Sequence, residues 1–142
     1  IGNFVCDIMR QHHNADCAIM ASGTIRGGQI YPPGAIRIKD ITNCFPFEDP
    51  AVLLRVTGQA IWDALENGVC MYPALEGRFP QVSNIQYEFD PSKEPGSRIT
   101  KVKLGGEDID LEKKYTLATR GYMGRGKGES TLDIVRRGSV LI

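Results

Sequence analysis

The sequence lacks an excess of either charge and lacks a long apolar run. Lys and Arg total 17 and Asp and Glu total 17, so the 142-residue chain has a formal net charge of zero. Because long anionic polymers are attracted by an overall basic field, this balance argues against nucleic acid as a partner. No apolar stretch approaches the ~18 residues that a membrane-spanning helix needs. The sequence therefore predicts a single globular domain without a membrane span.

Metal-ligating residues are also scarce. The two histidines, His12 and His13, are adjacent, and the four cysteines form no C-x-x-C pair: Cys6, Cys17, Cys44 and Cys70. This spacing matches no zinc site, and it cannot supply the ligands of a dinuclear centre, whose ions lie about 3.5–4 Å apart. We expect no metal or other cofactor in this chain. Disulfides and buried free thiols both remain open for the cysteines.

The apolar pattern predicts a mixture of helices and strands. Helical spacing indicates a helix over Gly2–Arg10, and a short apolar run indicates a buried strand over Cys17–Met20. A strand over Val52–Val56 precedes a helix for which Thr57 is the expected N-cap. That helix carries three apolar residues at i, i+4 and i+8: Ile61, Leu65 and Val69.

The second half of the chain indicates antiparallel strands. Ile85, Tyr87 and Phe89 alternate with polar residues, as in a strand with one face in water. Gly105-Gly106 between two apolar segments predicts a tight hairpin, because both turn positions need positive φ. The fold class is therefore α+β, with mixed or antiparallel sheets and flanking helices, rather than a doubly wound parallel sheet.

The segment from Thr116 to Thr131 is a candidate ligand loop. A predicted strand runs into a loop that holds an aromatic ring, two arginines, a lysine and four glycines. Gly121 to Lys127 fits the first part of a nucleotide-binding P-loop, and apolar residues follow it as in a helix: Leu132, Ile134 and Val135. Gly128 stands where the P-loop needs a hydroxyl for magnesium, so that interpretation is rejected. A flexible glycine turn remains the alternative.

Five segments, in order, resemble the C-terminal domain of the 5′-nucleotidase family: GNFVCDIMR, ADCAIMASGTIR, DITNCFPFEDPAVLLRVTGQAIWDAL, GRFPQVSNIQYEFD and YTLATRGYMGRGKGEST. The resemblance covers nearly the whole chain and is closest to a branch with fungal and other microbial members. It implies one domain over residues 1–142 with a layered α/β/β/α architecture.

The resemblance also implies a division of labour between two domains. In this family an N-terminal metallophosphoesterase domain holds two divalent metal ions and performs hydrolysis, while the C-terminal domain grips the nucleotide. The chain has no initiator Met and no signal-like segment, so we expect a domain excised from a larger protein and inactive by itself. Its expected partners are a nucleoside monophosphate or related nucleotide and the N-terminal domain. The resemblance implies a secreted, periplasmic or cell-surface location.

Site residues are carried over by position from the family motifs. Arg26 stands where an arginine contacts substrate phosphate, and Phe47 and Tyr122 stand where two rings sandwich the base. Gly77 matches a glycine that lets the backbone approach the base, and Glu129 is within one position of a ribose-binding carboxylate. We therefore expect a substrate-binding site made of these five residues, with no catalytic residue in the chain.

Several positions depart from the family pattern or stay ambiguous. Ala21 stands where members commonly have Asn, and Gly128 stands where they have the ribose-binding Asp. Asp49 either faces the pocket or belongs to an Asp-Pro turn. At least two of three basic residues in the last loop are expected to be solvated or structural: Arg120, Arg125 and Lys127.

These departures leave three functional hypotheses. The first is the nucleotide-recognition domain of a 5′-nucleotidase-like metal-dependent phosphoesterase. The second is a non-catalytic binding or interaction domain derived from the same family. The third is a family member that acts on another phosphoester or on a sulfur substrate.

Overall fold

In the computed structural model, the described residues are 1–28, 30–124 and 140–141, the last pair as backbone only. They form helices and strands in the order α1 Gly2–His12, β1 Cys17–Ala21, a 3₁₀ turn Ser22–Thr24, α2 Ile38–Cys44, β2 Ala51–Thr57, α3 Gly58–Val69, β3 Pro80–Ser83, β4 Ile85–Phe89, β5 Ile99–Leu104, β6 Glu107–Asp108, β7 Lys114–Arg120, α4 Gly121–Gly124 and β8 Val140–Leu141.

A five-stranded mixed sheet has the order β3-β1-β7-β2-β8. β1 and β7 are parallel, whereas the other neighbouring pairs are antiparallel. The pairing of β2 with β7 runs from Thr57 opposite Lys114 to Ala51 opposite Arg120. The ends of β1 and β7 and the start of β2 therefore lie side by side at one end of the strands. The loops at this end of the sheet form the candidate site.

A smaller antiparallel sheet has the order β4-β5-β6. Its β5–β6 turn has positive φ at both glycines, 64° at Gly105 and 90° at Gly106, so the predicted hairpin is confirmed. Helix α3 contacts β2, β3 and β5, and its apolar residues are fully buried in one cluster with residues from both sheets: Ile61, Leu65 and Val69. The two sheets thus share one core, and the expected α+β class with mixed and antiparallel sheets is confirmed.

Strand β1 is buried on both faces. Cys17 and Ile19 enter the core shared with α3, whereas Ala18 and Met20 pack against the second cluster under helix α1. A strand covered on both sides shows a continuous apolar run rather than alternation, which is why this run identified the strand. The predicted strand is confirmed and extends one residue to Ala21.

All four cysteines lie in the described residues and are free thiols. Cys6 is fully buried between α1 and the sheet, and Cys17 is fully buried in the core shared with α3. Burial, together with the nearby Asp7 carboxylate, raises the pKa of Cys6 to about 12. Burial likewise raises the pKa of Cys17, with a smaller contribution from Asp16. Of the two states left open by the sequence, the structure has buried thiols at these two positions.

Strand β3 was not predicted from the sequence. It begins at Pro80, and proline lacks the N–H that an interior strand needs. The strand lies at the edge of the sheet, where Pro80 pairs with Ala21 and no second neighbour requires its N–H. The helix suggested by Leu132, Ile134 and Val135 lies outside the described residues.

Candidate functional site

A cavity of about 690 Å³ opens at the end of the sheet where β1 and β7 end. Four chain segments contribute to its wall: the loop after β1, the loop before β2, the loop before β3 and the start of α4. The lining residues are Ala21, Gly23, Thr24, Arg26, Phe47, Glu48, Asp49, Glu76, Gly77, Arg78, Arg120, Tyr122 and Met123.

The loop after β1 is held by backbone hydrogen bonds. Ser22 donates its N–H to the carbonyl of Phe79 at 2.9 Å, and Gly23 donates to the carbonyl of Gly77 at 2.8 Å. The two glycine backbones are so close that a Cβ on Gly23 would lie 2.9 Å from the Gly77 Cα. Only glycine fits at this contact, so both residues allow two loops to meet beside the cavity.

Arg26 lies next to the ring of Phe47. Its backbone N–H donates to the carbonyl of Cys44 at 2.7 Å, which fixes the end of the loop. The guanidinium carbon lies 5.2 Å from the centroid of the Phe47 ring, within the range of a cation–π contact. The ring is 52% exposed, so one of its faces remains open for contact with a ligand.

Tyr122 reaches the same cavity from a distant part of the sequence. It follows β7 in the short helix α4, and its side chain is 49% exposed. The next residue, Met123, is buried, and its Sδ accepts a hydrogen bond from the Ala21 N–H at 3.3 Å and lies 3.6 Å from the Thr119 hydroxyl oxygen. Met123 thereby anchors α4 to β1 while Tyr122 faces the cavity.

Asp49 and Arg120 connect the two aromatic segments. The Asp49 carboxylate accepts the Tyr122 N–H at 2.7 Å and lies 3.4 Å from the Arg120 Nε. A terminal nitrogen of Arg120 donates to the Phe47 carbonyl at 2.7 Å. One acid and one base that line the cavity are thus already paired with each other.

Four of the six charged residues that line the cavity form two ion pairs, and two, Arg26 and Glu48, have no ion-pair partner among the described residues. Arg78 pairs with Glu76 at 3.6 Å, as Arg120 pairs with Asp49. Among the described residues, Arg26 makes no ion pair with a carboxylate, and its side chain is exposed. The cavity therefore combines two half-exposed rings with the Arg26 guanidinium, which has no carboxylate partner among the described residues, and the exposed Glu48.

Residues 1–133 match the family model described as 5′-nucleotidase, C-terminal domain. The chain belongs to this family. It is 32% identical over 135 residues to the trifunctional nucleotide phosphoesterase protein YfkN of Bacillus subtilis, covering 89% of this chain and 9% of that protein. It is 26% identical over 146 residues to a snake venom 5′-nucleotidase of Macrovipera lebetinus, covering 89% of this chain and 36% of that protein.

A solved structure shows the same fold. The crystal structure of a 5′-nucleotidase precursor from Thermus thermophilus superposes with a TM-score of 0.88 at 28% identity. The match covers 99% of this chain and 29% of that chain. The nucleotidase-family domain described here thus spans well under two-thirds of the length of these relatives.

The structure brings together four of the five predicted site residues. Arg26, Phe47, Gly77 and Tyr122 all line the same cavity. Glu129 lies outside the described residues, as do three other positions of the last loop: Arg125, Lys127 and Gly128. The placement of Ala21 in the cavity wall means that the family's Asn position carries no polar side chain here.

The sequence did not predict the connection made by Asp49 and Arg120. Arg120 is one of three basic residues of which at least two were expected to be solvated or structural, and its hydrogen bond to the Phe47 carbonyl gives it a structural role. Asp49 faces the cavity, one of its two proposed interpretations. The only sequence signal was its position two residues after a motif aromatic.

In residues 1–28 and 30–124, no three His, Cys, Asp or Glu side chains come together in a group that could hold a metal ion. Within the same ranges, no helix has both the length and the apolar character required to cross a membrane.

Proposed function

We propose that this chain is the nucleotide-recognition domain of a 5′-nucleotidase-like phosphoesterase. The observation that carries the proposal is that two half-exposed rings, from widely separated segments of the chain, line the same cavity as Arg26, whose guanidinium pairs with no carboxylate in the part of the chain that the structure describes. A nucleobase stacks between Phe47 and Tyr122, and the phosphate lies toward Arg26. The relatives support the proposal, because one is named a nucleotide phosphoesterase and another a 5′-nucleotidase.

Each residue contributes a different part of the recognition. Stacking of a base on one aromatic ring is worth about 1–3 kcal/mol and tolerates different bases. A charge-assisted hydrogen bond from Arg26 to phosphate adds about 1.5–3 kcal/mol. The absence of a side chain at Gly77 allows the ligand to approach the backbone. Glu129 is proposed to reach the ribose hydroxyls.

Hydrolysis belongs to another part of the whole protein in this proposal. The chain is one domain of a larger protein whose N-terminal metallophosphoesterase domain holds two divalent metal ions and cleaves the phosphate monoester. The 9–36% coverage of the two curated relatives is consistent with a domain of this kind. We propose a secreted, periplasmic or cell-surface location for the whole protein, since one relative is a venom enzyme.

Calorimetry on the isolated domain tests the binding proposal. We expect AMP and UMP to bind and the double variant Phe47→Ala, Tyr122→Ala to lose at least about tenfold in affinity, from the stacking energies of two rings. Arg26→Ala is expected to weaken AMP by about tenfold or more while changing adenosine little. Phe4→Ala is the control, because Phe4 is an exposed ring on α1 outside the cavity. Equal AMP affinity in the double variant and the parent contradicts the stacking model.

A second candidate function is favoured by Ala21. Its position in the cavity wall lacks the amide that family members commonly present, so one polar contact to the nucleoside is missing. A non-catalytic binding domain would tolerate this loss. Turnover of AMP by the intact protein with divalent metal supports the enzyme, whereas binding by the domain without turnover by the intact protein supports the second candidate.

A further inference from the structure

We propose that Asp49 and Arg120 are positioning residues that set the spacing of the two rings. The inference rests on the proposed function. The pair does not contact the base itself but holds the two rings at the distance that stacking on the base requires. The two side chains form a continuous path from the backbone of Phe47 to the backbone of Tyr122. We call this path the Asp49–Arg120 bridge.

The bridge consists of three short contacts. The Phe47 carbonyl accepts from Arg120 at 2.7 Å, the Arg120 Nε lies 3.4 Å from the Asp49 carboxylate, and the same carboxylate oxygen accepts the Tyr122 N–H at 2.7 Å. Both ends are backbone atoms of the ring-bearing residues themselves. A displacement of either segment must therefore stretch or break one of these contacts.

The bridge continues the pairing of β2 with β7 beyond the end of the sheet. The last strand pair is Ala51 opposite Arg120, and Gly121 then donates its N–H to the Pro50 carbonyl at 2.7 Å. Pro50 has no N–H, so the backbone ladder cannot be extended in the usual way. The chain turns into α4 at this point, and the Asp49 carboxylate accepts the N–H of Tyr122, one of the N–H groups at a helix start that have no partner within the helix.

Burial makes the bridge stiffer than a surface ion pair. The side chains of Asp49 and Arg120 are only 10% and 13% exposed. Salt and water screen such a pair less than an exposed one, and a charged acceptor strengthens the hydrogen bond to the Tyr122 N–H. An ion pair at the surface, by contrast, contributes little.

Ring spacing matters because stacking acts over a narrow distance. Each ring must lie about 3.5–4.0 Å from the base, and a gap of about 0.5–1 Å forfeits a quarter to a half of the dispersion attraction. Loosening the bridge should therefore weaken ligands that carry a base and leave ligands without a base almost unchanged. This distinction separates positioning from a general loss of folding.

The test compares Asp49→Ala and Asp49→Asn with a matched control, Asp40→Ala. Asp40 also accepts a backbone N–H, that of Arg37 at 2.8 Å, and also pairs with an arginine side chain, but it lies outside the cavity. NMR titrations measure Kd for AMP and for ribose 5-phosphate on each domain. Melting curves identify variants that remain folded, and Asp49→Asn serves if Asp49→Ala does not fold.

The inference predicts a loss of about tenfold for AMP in Asp49→Ala and less than about twofold for ribose 5-phosphate. Asp49→Asn should lose less affinity for AMP than Asp49→Ala, because its amide oxygen can still accept the Tyr122 N–H without the negative charge. In a Tyr122→Ala background the effect of Asp49→Ala on AMP should fall below about twofold, because only one ring remains to be spaced. Without ligand, exchange of the Tyr122 amide hydrogen should accelerate in the Asp49 variants and not in Asp40→Ala.

The possible failures are distinguishable. A parent domain that binds no AMP refutes the proposed function and the positioning role with it. A parent that binds AMP, with Asp49 variants of equal affinity, overturns the positioning role alone. Equal loss of AMP and ribose 5-phosphate also overturns it, because the carboxylate would then act on the fold as a whole.

Discussion

Glu66→Gln tests whether one buried carboxylate holds together the end of α3 and the start of β5. Glu66 is 9% exposed and accepts three backbone N–H groups. One oxygen accepts from Gly96 at 3.1 Å and Arg98 at 2.9 Å, and the other accepts from Ile99 at 2.7 Å. The carboxylate therefore satisfies two donors, the Arg98 and Ile99 N–H groups, that would otherwise be buried without partners.

The same region carries the loop that leads to the cavity. The Arg98 guanidinium donates to the carbonyls of Val69 at 2.9 Å and Tyr72 at 2.7 Å, just after α3 ends. Its backbone N–H is held by Glu66. This chain of contacts fixes the start of the segment that continues to Gly77 in the cavity wall.

The expected loss of stability follows from the two oxygens of Glu66. Glutamine retains one oxygen, so the N–H groups of Gly96 and Arg98 keep an acceptor. The amide nitrogen replaces the oxygen that faces Ile99, and two donors then oppose each other. Loss of a hydrogen bond to a charged group costs about 1.5–3 kcal/mol, and the stranded N–H adds about 1–3 kcal/mol before relaxation. We expect the free energy of unfolding to fall by about 2–4 kcal/mol.

Urea unfolding monitored by fluorescence of Trp62, the single tryptophan, measures this loss. Glu107→Gln is the matched control, because this substitution removes the same charge from a residue on the exposed strand β6. The control should remain within about 0.5 kcal/mol of the parent. A Glu66→Gln domain that also remains within that range would refute the assignment of Glu66 as the acceptor that satisfies the buried Arg98 and Ile99 N–H groups.

Three other changes have defined outcomes. The pKa of Cys6 in the folded protein is about 12, above its ordinary value of 9.0. The buried neutral thiol therefore contributes fully to stability below pH 9.0, and this contribution is lost as pH rises toward about 12. In urea unfolding, the stability of Cys6→Ala should fall less at alkaline pH than that of the parent. Gly23→Ala should lower the free energy of unfolding by about 1–3 kcal/mol in the same assay, because its Cβ meets the Gly77 backbone. Thr57→Ala should cost about 1 kcal/mol by loss of the N-cap and Thr57→Ser much less.

The elements predicted best were those whose cause lies within one segment. Helix α3 has its N-cap at Thr57, whose hydroxyl accepts the Ala60 N–H at 3.2 Å, and its apolar residues all lie on the buried face. The predicted strand over Val52–Val56 extends only to Ala51–Thr57. Local capping and periodicity are sufficient for such elements because their pattern repeats within a few residues.

The order of the strands could not be predicted in this way. β1 pairs in parallel with β7, about 100 residues later in the chain, and β3 joins at the outer edge. Neither pairing produces a sequence pattern within the strands that take part in it. The buried Thr119 hydroxyl donates to the Ile19 carbonyl across this pairing, yet a threonine in a strand predicts nothing about its partner.

In the candidate site, too, the residues in local motifs were predicted and those that act through distant partners were not. Arg26, Phe47 and Tyr122 were predicted because each stands in a segment that resembles a family motif, and the fold places them around one cavity. Asp49 and Arg120 were not recognised as a pair, since an acid before Pro50 already has a sufficient local interpretation as a turn. Their partners are 71 and 73 residues away in the chain. A residue that acts by holding two loops together carries its signal in the separation of those loops, and only a structure or co-variation between the two segments can reveal it.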